Sequence, residues 1–483
     1  MKRIFSLVLA LLLFLPFFSG FAEEETASAL YPIRENGLWG YMNQAGETVI
    51  EPQWKQAQRF AGDYALVITL EGQNGLIDRF GQYVVEPQEH LRIRQYDEAW
   101  ELEIWGTEED GVGYFDKASG FCMPPDSEYI SLLNWYEDGS GPIPVMNNDE
   151  KIGYLNRQTG EVAIPFIYDE VSDSIGFCNG YSIATTVSGD GPDERLQFHL
   201  IDRNGTEVCF PDGIYACGDV SEDRLVVCGS NGYGLARPDG TIVVEPIYSA
   251  LSWPTEGVIG FQELKNGVYC SGHMDLDGNI IVPAIYHLHG DERYSPEDDV
   301  YWFNNGYAFF DDYAADREWP DNCRSVILDK AGNEVLSMPY RMNDGRLITL
   351  NLWIGNDVTE AGLIWYKVCD QDFDYNLTYG DGVRFGLIRL HDGTWEFLTD
   401  PVFERIKVLF PDGFYSVYGN YFTEGLQEVC VDGLWGYIDE SAQWVILPQY
   451  DKAASFSDGL ALVEKDGKLI YVDHSGEVVW EEP

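Results

Sequence analysis

The sequence predicts an all-β protein of tandem antiparallel repeats in a propeller-like arrangement. Three observations support this fold class: the residue types present, a short motif that recurs along the chain, and regularly placed turn glycines. The 483 residues include 50 glycines and 30 tyrosines, which favour strands joined by tight turns over helix bundles. Hydrophobic residues make up 45% of the chain, enough for a folded core despite its charge.

The clearest copies of the motif lie near the two ends of the chain. One reads Asn36-Gly-Leu-Trp-Gly-Tyr-Met-Asn43 and the other reads Asp432-Gly-Leu-Trp-Gly-Tyr-Ile-Asp439. Each copy is followed by a turn, a Val-Ile-x-Pro stretch and an aromatic residue. The residues on both sides of the turn alternate or run apolar, which is typical of strands.

Each repeat has one turn position, and Asp or Asn often stands three residues before it. This spacing predicts a type I turn that ends in a left-handed residue, which gives a tight hairpin with a bulge. Eleven such positions predict eleven repeats of about 42 residues each. The positions are Gly46, Gly81, Gly120, Gly160, Gly205, Gly240, Gly278, Gly332, Gly393, Ala442 and Gly476.

Two further glycines, Gly40 and Gly436, stand inside strand patterns. A glycine at such a place predicts a β-bulge or a close approach of neighbouring backbone.

The number of repeats bears on how they assemble, because one propeller typically has four to eight blades. We therefore expect one or two propellers, with an open β-solenoid of the same repeats as the alternative.

Through these residues the chain resembles the WG-repeat family, named for the pairs seen here as Trp39-Gly40 and Trp435-Gly436. The resemblance is strong at both ends of the chain and loose between about 287 and 430. Several copies have lost the Trp and keep only the glycine: Gly75, Gly153, Gly234 and Gly386. The resemblance implies a bacterial protein, exported or at the cell surface, with a scaffold or binding role. It assigns no catalytic residues.

The N-terminus has the layout of a secretory signal peptide. Lys2 and Arg3 precede an apolar run from Ile4 to Phe18, and small residues follow up to Ala22. We expect cleavage after Ala22 and a secreted or cell-surface protein, with an uncleaved membrane anchor as the alternative. No second segment approaches membrane-spanning length.

The repeats and the signal together suggest a division of the chain into four parts. A signal peptide at 1–22 precedes the N-terminal part of the repeat array at 23–286. Degenerate repeats with insertions occupy 287–430, and repeats that keep the motif occupy 431–483.

The charge of the chain restricts its partners. There are 81 Asp and Glu residues against 30 Lys and Arg residues, a formal net charge of -51. Such a chain repels nucleic acids and anionic lipid surfaces and favours basic partners or cations. With the repeats, this predicts a non-enzymatic module that binds a protein or a cell-wall glycan.

Two groups of residues have metal-ligand spacing. The first resembles a calcium loop but has Tyr375 where that loop needs glycine, so a solvated acidic insertion is the alternative; it comprises Asp370, Asp372, Asp374, Asn376 and Asp381. The second, His287, His289 and Asp291, stands where other repeats have Tyr-Asp, so a drifted loop is the alternative there. We predict no metal or cofactor site from either group, because each needs ligands that the sequence does not place.

No motif for catalysis is present, neither G-x-S-x-G nor H-E-x-x-H nor a phosphate-binding glycine loop. We therefore expect no enzyme activity. The rival hypothesis is a secreted glycan hydrolase, which needs two facing carboxylates that cannot be chosen among so many acids.

The aromatic residues and cysteines have two interpretations each. The repeated Trp39 and Trp435 are predicted to lie in the core. Non-repeating tryptophans are predicted to form a ligand surface: Trp100, Trp105, Trp135, Trp302, Trp319, Trp353 and Trp365. The nine cysteines are expected to be small buried hydrophobic residues, with a disulfide framework as the alternative.

Overall fold

The fold is known from a computed structural model, in which the described residues form strands and turns and contain no helix. The described residues are 29–96, 98–107, 110–126, 128–133, 138–169, 176–188, 195–287, 303–313, 323–339, 346–350, 358–369, 383–391, 393–404, 406 and 422–483. Within them, no helix is long and apolar enough to cross a membrane. The prediction of an all-β fold is confirmed.

Forty strands in the described residues form eleven antiparallel sheets, which we number in chain order. Sheets 1 to 4 contain β1 (Tyr31–Glu35), β2 (Leu38–Met42), β3 (Thr48–Trp54); β4 (Gln56–Ala57), β5 (Tyr64–Ile68), β6 (Asn74–Asp78), β7 (Tyr83–Gln88); β8 (Leu91–Gln95), β9 (Ala99–Ile104), β10 (Gly111–Asp116), β11 (Cys122–Asp126); β12 (Tyr129–Leu132), β13 (Ile143–Asn147), β14 (Ile152–Leu155) and β15 (Val162–Tyr168). Sheets 5 to 8 contain β16 (Tyr181–Ser188), β17 (Arg195–Asp202); β18 (Tyr215–Ala216), β19 (Leu225–Gly229), β20 (Gly232–Ala236), β21 (Ile242–Tyr248); β22 (Ala250–Leu251), β23 (Val258–Lys265), β24 (Val268–Asp275), β25 (Ile280–His287); β26 (Phe303–Asn304), β27 (Tyr307–Tyr313), β28 (Cys323–Asp329) and β29 (Glu334–Pro339). Sheets 9 to 11 contain β30 (Leu347–Leu350), β31 (Leu363–Cys369), β32 (Val383–His391), β33 (Thr394–Phe397); β34 (Leu426–Val431), β35 (Leu434–Asp439), β36 (Trp444–Tyr450); β37 (Lys452–Ala453), β38 (Leu460–Lys465), β39 (Lys468–Asp473) and β40 (Val478–Glu481).

The strands of each sheet follow one another in chain order, so every sheet is an antiparallel meander. Most sheets have four strands, and each of the eleven contains one of the predicted turn positions. In sheet 5 that turn follows β17 and leads to an isolated bridge between Ile201 and Glu207. In the other ten it joins the last two strands.

The predicted turn chemistry is present. Gly46 and Gly476 have φ values of 80° and 85°, and Ala442 takes the same left-handed conformation at 58°. The Asp or Asn three residues earlier holds the turn: Asp439 Oδ1 accepts hydrogen bonds from the backbone N–H groups of Ser441 (2.8 Å) and Gln443 (2.9 Å). The turn prediction is confirmed.

The glycine of the Trp-Gly pair lies against the last strand of its own sheet. A Cβ on Gly436 would lie 2.5 Å from the carbonyl oxygen of Ile446 and 2.7 Å from the nitrogen of Pro448. The pairing of β35 with β36 also shifts register between Trp435 and Tyr437. The predicted bulge and the predicted close approach therefore occur together.

The aromatic residues of the motif pack in the core and link neighbouring sheets. Trp39 and Trp435 are buried, as predicted. The hydroxyl of Tyr437 donates to the backbone oxygen of Ala454, 17 residues later in sheet 11 (2.7 Å). Tyr41 makes the same bond to Gln58 in sheet 2, again 17 residues later and at 2.7 Å.

Successive sheets meet through the turn glycines. A Cβ on Gly278 of sheet 7 would lie 2.6 Å from Cγ2 of Val244, in the last strand of sheet 6. A Cβ on Gly332 of sheet 8 would lie 2.7 Å from Cγ2 of Val282, in the last strand of sheet 7. At these two turns, the absence of a side chain thus lets a sheet pack closely on the one before it.

The first and last sheets pack on each other in the same way. A Cβ on Gly46 of sheet 1 would lie 2.6 Å from the carbonyl oxygen of Val479 in β40. The Tyr471 hydroxyl donates to the Pro32 carbonyl oxygen (3.1 Å), and Arg34 forms a bidentate ion pair with Glu482 (2.6 and 2.9 Å). One apolar cluster also joins sheets 11, 1 and 2.

These contacts join the eleven sheets into one ring that closes between sheets 11 and 1, a junction we call the seam. The propeller-like arrangement is confirmed. The alternative of an open solenoid is wrong, because in an open array the terminal sheets would not touch. The number of repeats is accommodated in a single ring.

We expect Gly436→Ala to lower the free energy of unfolding by about 1–3 kcal/mol, because the new methyl would meet backbone atoms of β36. Gly75→Ala is the control at the same repeat position. There the nearest atoms, 3.0–3.1 Å away, belong to the side chains of Pro87 and Tyr83, which can shift. Urea denaturation midpoints measure both variants, and a Gly436→Ala midpoint at or above the parent's would refute the backbone explanation.

A second pair of substitutions tests the closure of the ring. Gly46 and Gly393 both have positive φ, 80° and 71°, so alanine strains either backbone by about 1 kcal/mol. A Cβ on Gly393 has nothing within 4 Å, whereas one on Gly46 would contact Val479 across the seam. We expect Gly46→Ala to lower the denaturation midpoint more than Gly393→Ala does. Equal midpoints would argue against the closed ring.

Candidate functional site

The antiparallel meander determines which turns lie together. Connections from a first to a second strand and from a third to a fourth strand share one end of a sheet, and the hairpin between the second and third strands lies at the other. Contacts between neighbouring sheets keep equivalent ends on one side of the ring, as in the ion pair of Glu256 in sheet 7 with Lys330 in sheet 8 (2.9 Å). We call that side the turn face and the other side the hairpin face.

Acidic residues occupy one repeated position on the turn face. This position lies in the four-residue turns 221–224, 255–258, 423–426 and 457–460, which we call entry turns. Its occupants, each at a φ of 50–55°, are Glu222, Glu256, Glu424 and Asp458. Because the left-handed conformation is uncommon outside glycine, the shared φ shows that the four turns have one shape.

Three of these carboxylates bind the next sheet. Glu222 accepts a hydrogen bond from the backbone N–H of Gly257, at 2.8 Å. Glu256 does the same with Gly306 at 2.8 Å, and Glu424 with Gly459 at 3.0 Å. Each of these three acids thus connects its own sheet to the next one through a hydrogen bond from a backbone N–H.

The charge of Glu256 is stabilised where it lies. Partial burial opposes its ionisation, but Lys330 and the Gly306 N–H outweigh that effect and lower the pKa of Glu256 below its ordinary value. The carboxylate is therefore anionic at neutral pH and at mildly acidic pH. Glu424 also has a side-chain neighbour, since His474 Nε2 lies 2.9 Å from its carboxylate.

Other acids on the turn face point to solvent. Asp223 belongs to the entry turn 221–224, Asp63 to the equivalent turn 61–64, and Asp277 to a turn between third and fourth strands. Their side chains are 70%, 68% and 70% exposed, although each lies within ion-pair distance of an arginine. The turn face therefore presents carboxylates that a partner can reach.

Two clefts open on the turn face. One of about 630 Å³ lies between sheets 7 and 8 and is lined by Glu256, Asn305, Gly306, Lys330 and Glu360. The other, of about 260 Å³, lies at the seam; its lining includes Tyr31, Arg59, Arg79, Ser457 and Asp458. The seam cleft contains two arginines, which sets it apart in a chain so rich in acids.

The two predicted metal-ligand groups fall largely outside the described residues. All five residues of the calcium-like group do so: Asp370, Asp372, Asp374, Asn376 and Asp381. His287 is the last residue of β25, while His289 and Asp291 lie outside the described part. In the described part, no three His, Cys, Asp or Glu side chains are grouped so as to hold a metal ion.

The prediction that non-repeating tryptophans form a ligand surface is wrong for Trp100 and Trp365. Both are buried in long strands, because the side chains on that face pack against the neighbouring sheet. Trp105 is 54% exposed, and the Arg92 guanidinium lies 4.1 Å from its ring centroid. The others lie outside the described residues: Trp135, Trp302, Trp319 and Trp353.

The eight cysteines whose side chains are described differ in burial. Cys270, Cys369 and Cys430 are buried, as expected of small hydrophobic residues, and Cys209 is exposed. The remaining four are partly buried: Cys122, Cys178, Cys217 and Cys228. These eight residues form no disulfide framework with one another.

A hydrogen-bonded group that the motif analysis missed lies in sheet 5. His199 Nε2 is 2.9 Å from Thr186 Oγ1, and His199 Nδ1 is 2.8 Å from Glu207 Oε1. The order hydroxyl, imidazole, carboxylate is that of a hydrolase triad, but such a triad also needs a cleft with oxyanion donors. Neither described cleft includes these residues, so we assign them the structural role of joining β16, β17 and the following turn.

Comparison with known proteins agrees with the repeat pattern. Residues 39–69, 152–177 and 435–468 match the family described as WG containing repeat. No curated protein matches the sequence.

Solved structures show only distant similarity to this chain. A crystal structure of the eukaryotic initiation factor is 10% identical, with 71% of this chain and 93% of that chain covered and a TM-score of 0.34. BamB from Moraxella catarrhalis is 10% identical, with 81% and 94% covered and a TM-score of 0.29. KlHsv2 with loop 6CD replaced by a Gly-Ser linker is 11% identical, with 53% and 91% covered and a TM-score of 0.25.

The family matches fall on the residues that define the repeat in this structure. They include Trp39-Gly40 and Trp435-Gly436, whose tryptophans are buried and whose glycines lie against the last strand of the sheet. Three regions of the chain, 39–69, 152–177 and 435–468, therefore match WG containing repeats.

Proposed function

We propose that this protein is an exported, non-enzymatic binding module whose turn face binds lysine- and arginine-rich segments of a partner protein. The observation that carries the proposal is the set of exposed carboxylates on that face, in a chain with a net charge of -51. Opposite charge accelerates association and selects basic partners against nucleic acids. A ring of similar sheets offers such a face as one broad surface.

A protein partner is favoured over a cell-wall glycan by the exposed carboxylates of the turn face. Glycan recognition would use exposed aromatic rings as flat contact surfaces. Of the non-repeating tryptophans within the described residues, Trp100 and Trp365 are buried. Trp105 is exposed, but the Arg92 guanidinium stacks on its ring. On the turn face, Trp253 and Phe80 are exposed, at 53% and 82%, together with the carboxylates of Asp63, Asp223 and Asp277, which favour a basic protein.

The proposal predicts that a fluorescent oligolysine peptide binds the mature protein and that its affinity falls steeply as salt is added. Replacing three exposed acids of the turn face, Asp63→Asn, Asp223→Asn and Asp277→Asn, should weaken binding about tenfold, at about 0.5 kcal/mol for each exposed pair. Fluorescence anisotropy titrations at several NaCl concentrations measure both effects.

The control carries the same charge change on the hairpin face: Glu150→Gln, Asp432→Asn and Asp466→Asn. Sheet 10 has three described strands, and its entry turn precedes β34, so the β34–β35 hairpin with Asp432 corresponds to the hairpin between second and third strands elsewhere. These residues are also left-handed turn residues, with φ values of 56°, 52° and 52°. We expect this variant to keep most of the affinity. Equal weakening by both variants would show that total charge, and not the turn face, determines binding. Failure of the parent to bind at low salt would reject the proposal.

Export is the second part of the proposal, and it rests on the layout of residues 1–22. N-terminal sequencing of the protein recovered outside the cytoplasm should begin at Glu23. A protein that keeps Met1 and remains in the cytoplasm would contradict export. Its repeats would then serve a partner inside the cell.

A further inference from the structure

The seam differs from the other junctions in the use of its entry-turn acid. Asp458 occupies the repeat position of Glu222 and Glu256, whose carboxylates accept a backbone N–H of the next sheet. Within the described residues, the Asp458 carboxylate instead accepts a hydrogen bond from its neighbour Ser457 (Oγ to Oδ2, 3.1 Å). It has no bond there to a backbone N–H of sheet 1.

At the seam, the backbone of Asp458, and not its carboxylate, connects sheet 11 to sheet 1. Its carbonyl oxygen accepts hydrogen bonds from the Tyr31 hydroxyl and from Gln44 Nε2 (3.1 Å), both in sheet 1. The Asp458 side chain is exposed beside the seam cleft of about 260 Å³. Ring closure thus leaves a carboxylate at a place where, elsewhere in the ring, a carboxylate receives an N–H donor.

The same cleft also contains positive charge. Arg79 lies over the Phe60 ring, 5.6 Å from its centroid, and is held by Asp63 (Nε to Oδ1, 2.6 Å) and the Gly62 carbonyl oxygen (3.1 Å). These contacts fix the plane of its guanidinium at the cleft wall. Arg59 supplies a second guanidinium to the lining.

The buried Tyr31 hydroxyl lies close to charges of both signs. Burial, together with the Asp458 and Glu424 carboxylates, raises the pKa of Tyr31 to about 12 against the opposing effect of the Arg59 guanidinium. A negative and a positive group therefore act on one atom in the wall of a small cleft. A ligand that carries both charges on neighbouring atoms complements this arrangement.

We propose that the seam cleft binds a free α-amino acid, with the ligand ammonium donating to the Asp458 carboxylate and the ligand carboxylate accepting from Arg59 and Arg79. Charge-assisted hydrogen bonds of this kind are strong, and a guanidinium can bind a carboxylate through two parallel N–H groups. The ammonium would supply the N–H donor that the next entry turn supplies at other junctions. This site shares the turn face and Asp63 with the basic-peptide surface but takes a different ligand, so calorimetry with alanine and anisotropy with oligolysine test the two separately.

Isothermal titration calorimetry of the mature protein with three probes tests the site. L-alanine carries both charges, propionate carries only the carboxylate, and ethylamine carries only the ammonium. Because each charged hydrogen bond contributes to affinity, we expect alanine to bind at least about tenfold more tightly than either single-charge probe. Equal binding of propionate and alanine would reduce the site to an anion site, and absence of alanine binding would reject it.

Substitutions then locate the bound probe. We expect Asp458→Asn and Arg59→Gln each to weaken alanine binding at least about tenfold. Glu222→Gln, at the equivalent position of sheet 6, is the control and should leave alanine binding unchanged. Circular dichroism shows whether each variant is folded. If one of the two substitutions prevents folding, alanine binding by the other variant tests the assignment. Alanine binding that survives both substitutions would place the amino acid elsewhere and overturn the assignment.

Discussion

The ring depends on the close approach of a turn glycine to the last strand of the preceding sheet. At Gly278 and Gly332 a side chain would collide with a valine of that strand, so the absence of Cβ sets the spacing between sheets. Gly46 makes the same approach to Val479, and this contact turns a row of sheets into a ring. Two turn positions are exceptions: the methyl group of Ala442 packs into the apolar cluster between sheets 9 and 10, and a Cβ on Gly393 would have nothing within 4 Å.

Local features of the fold could be predicted from the sequence because the residues that produce them recur in successive repeats. The turn with its leading Asp or Asn, the glycine at the bulge and the buried Trp435 all follow from residues a few positions apart. The residues that close the ring could not be predicted, since closure depends on pairs such as Arg34 and Glu482, which are 448 residues apart. Trp100 was misassigned because a non-repeating position does not reveal which face of a strand is buried.

The candidate sites were even less accessible to sequence reasoning. Composition shows that acids are in excess, but with 81 of them it does not say which ones share a face. The role of Glu222, Glu256 and Glu424 emerges only when equivalent turns are compared across sheets. The same comparison shows that Asp458 differs from these three acids. Within the described chain, each of the three carboxylates accepts a backbone N–H of the next sheet, whereas the Asp458 carboxylate accepts a hydrogen bond from Ser457. Thus one constraint, the spacing of the sheets, produces both the broad acidic face and the distinct cleft at the seam.

A distance across the seam tests the closed ring most directly. Spin labels carried by unnatural amino acids at Glu35, the last residue of β1, and Lys468, the first residue of β39, leave the native cysteines untouched. Pulsed electron paramagnetic resonance should then give one narrow distribution, at the spacing of about 10 Å between packed sheets extended only by the label arms. A broad distribution at much longer distances would show that sheets 1 and 11 do not meet, and would contradict the ring.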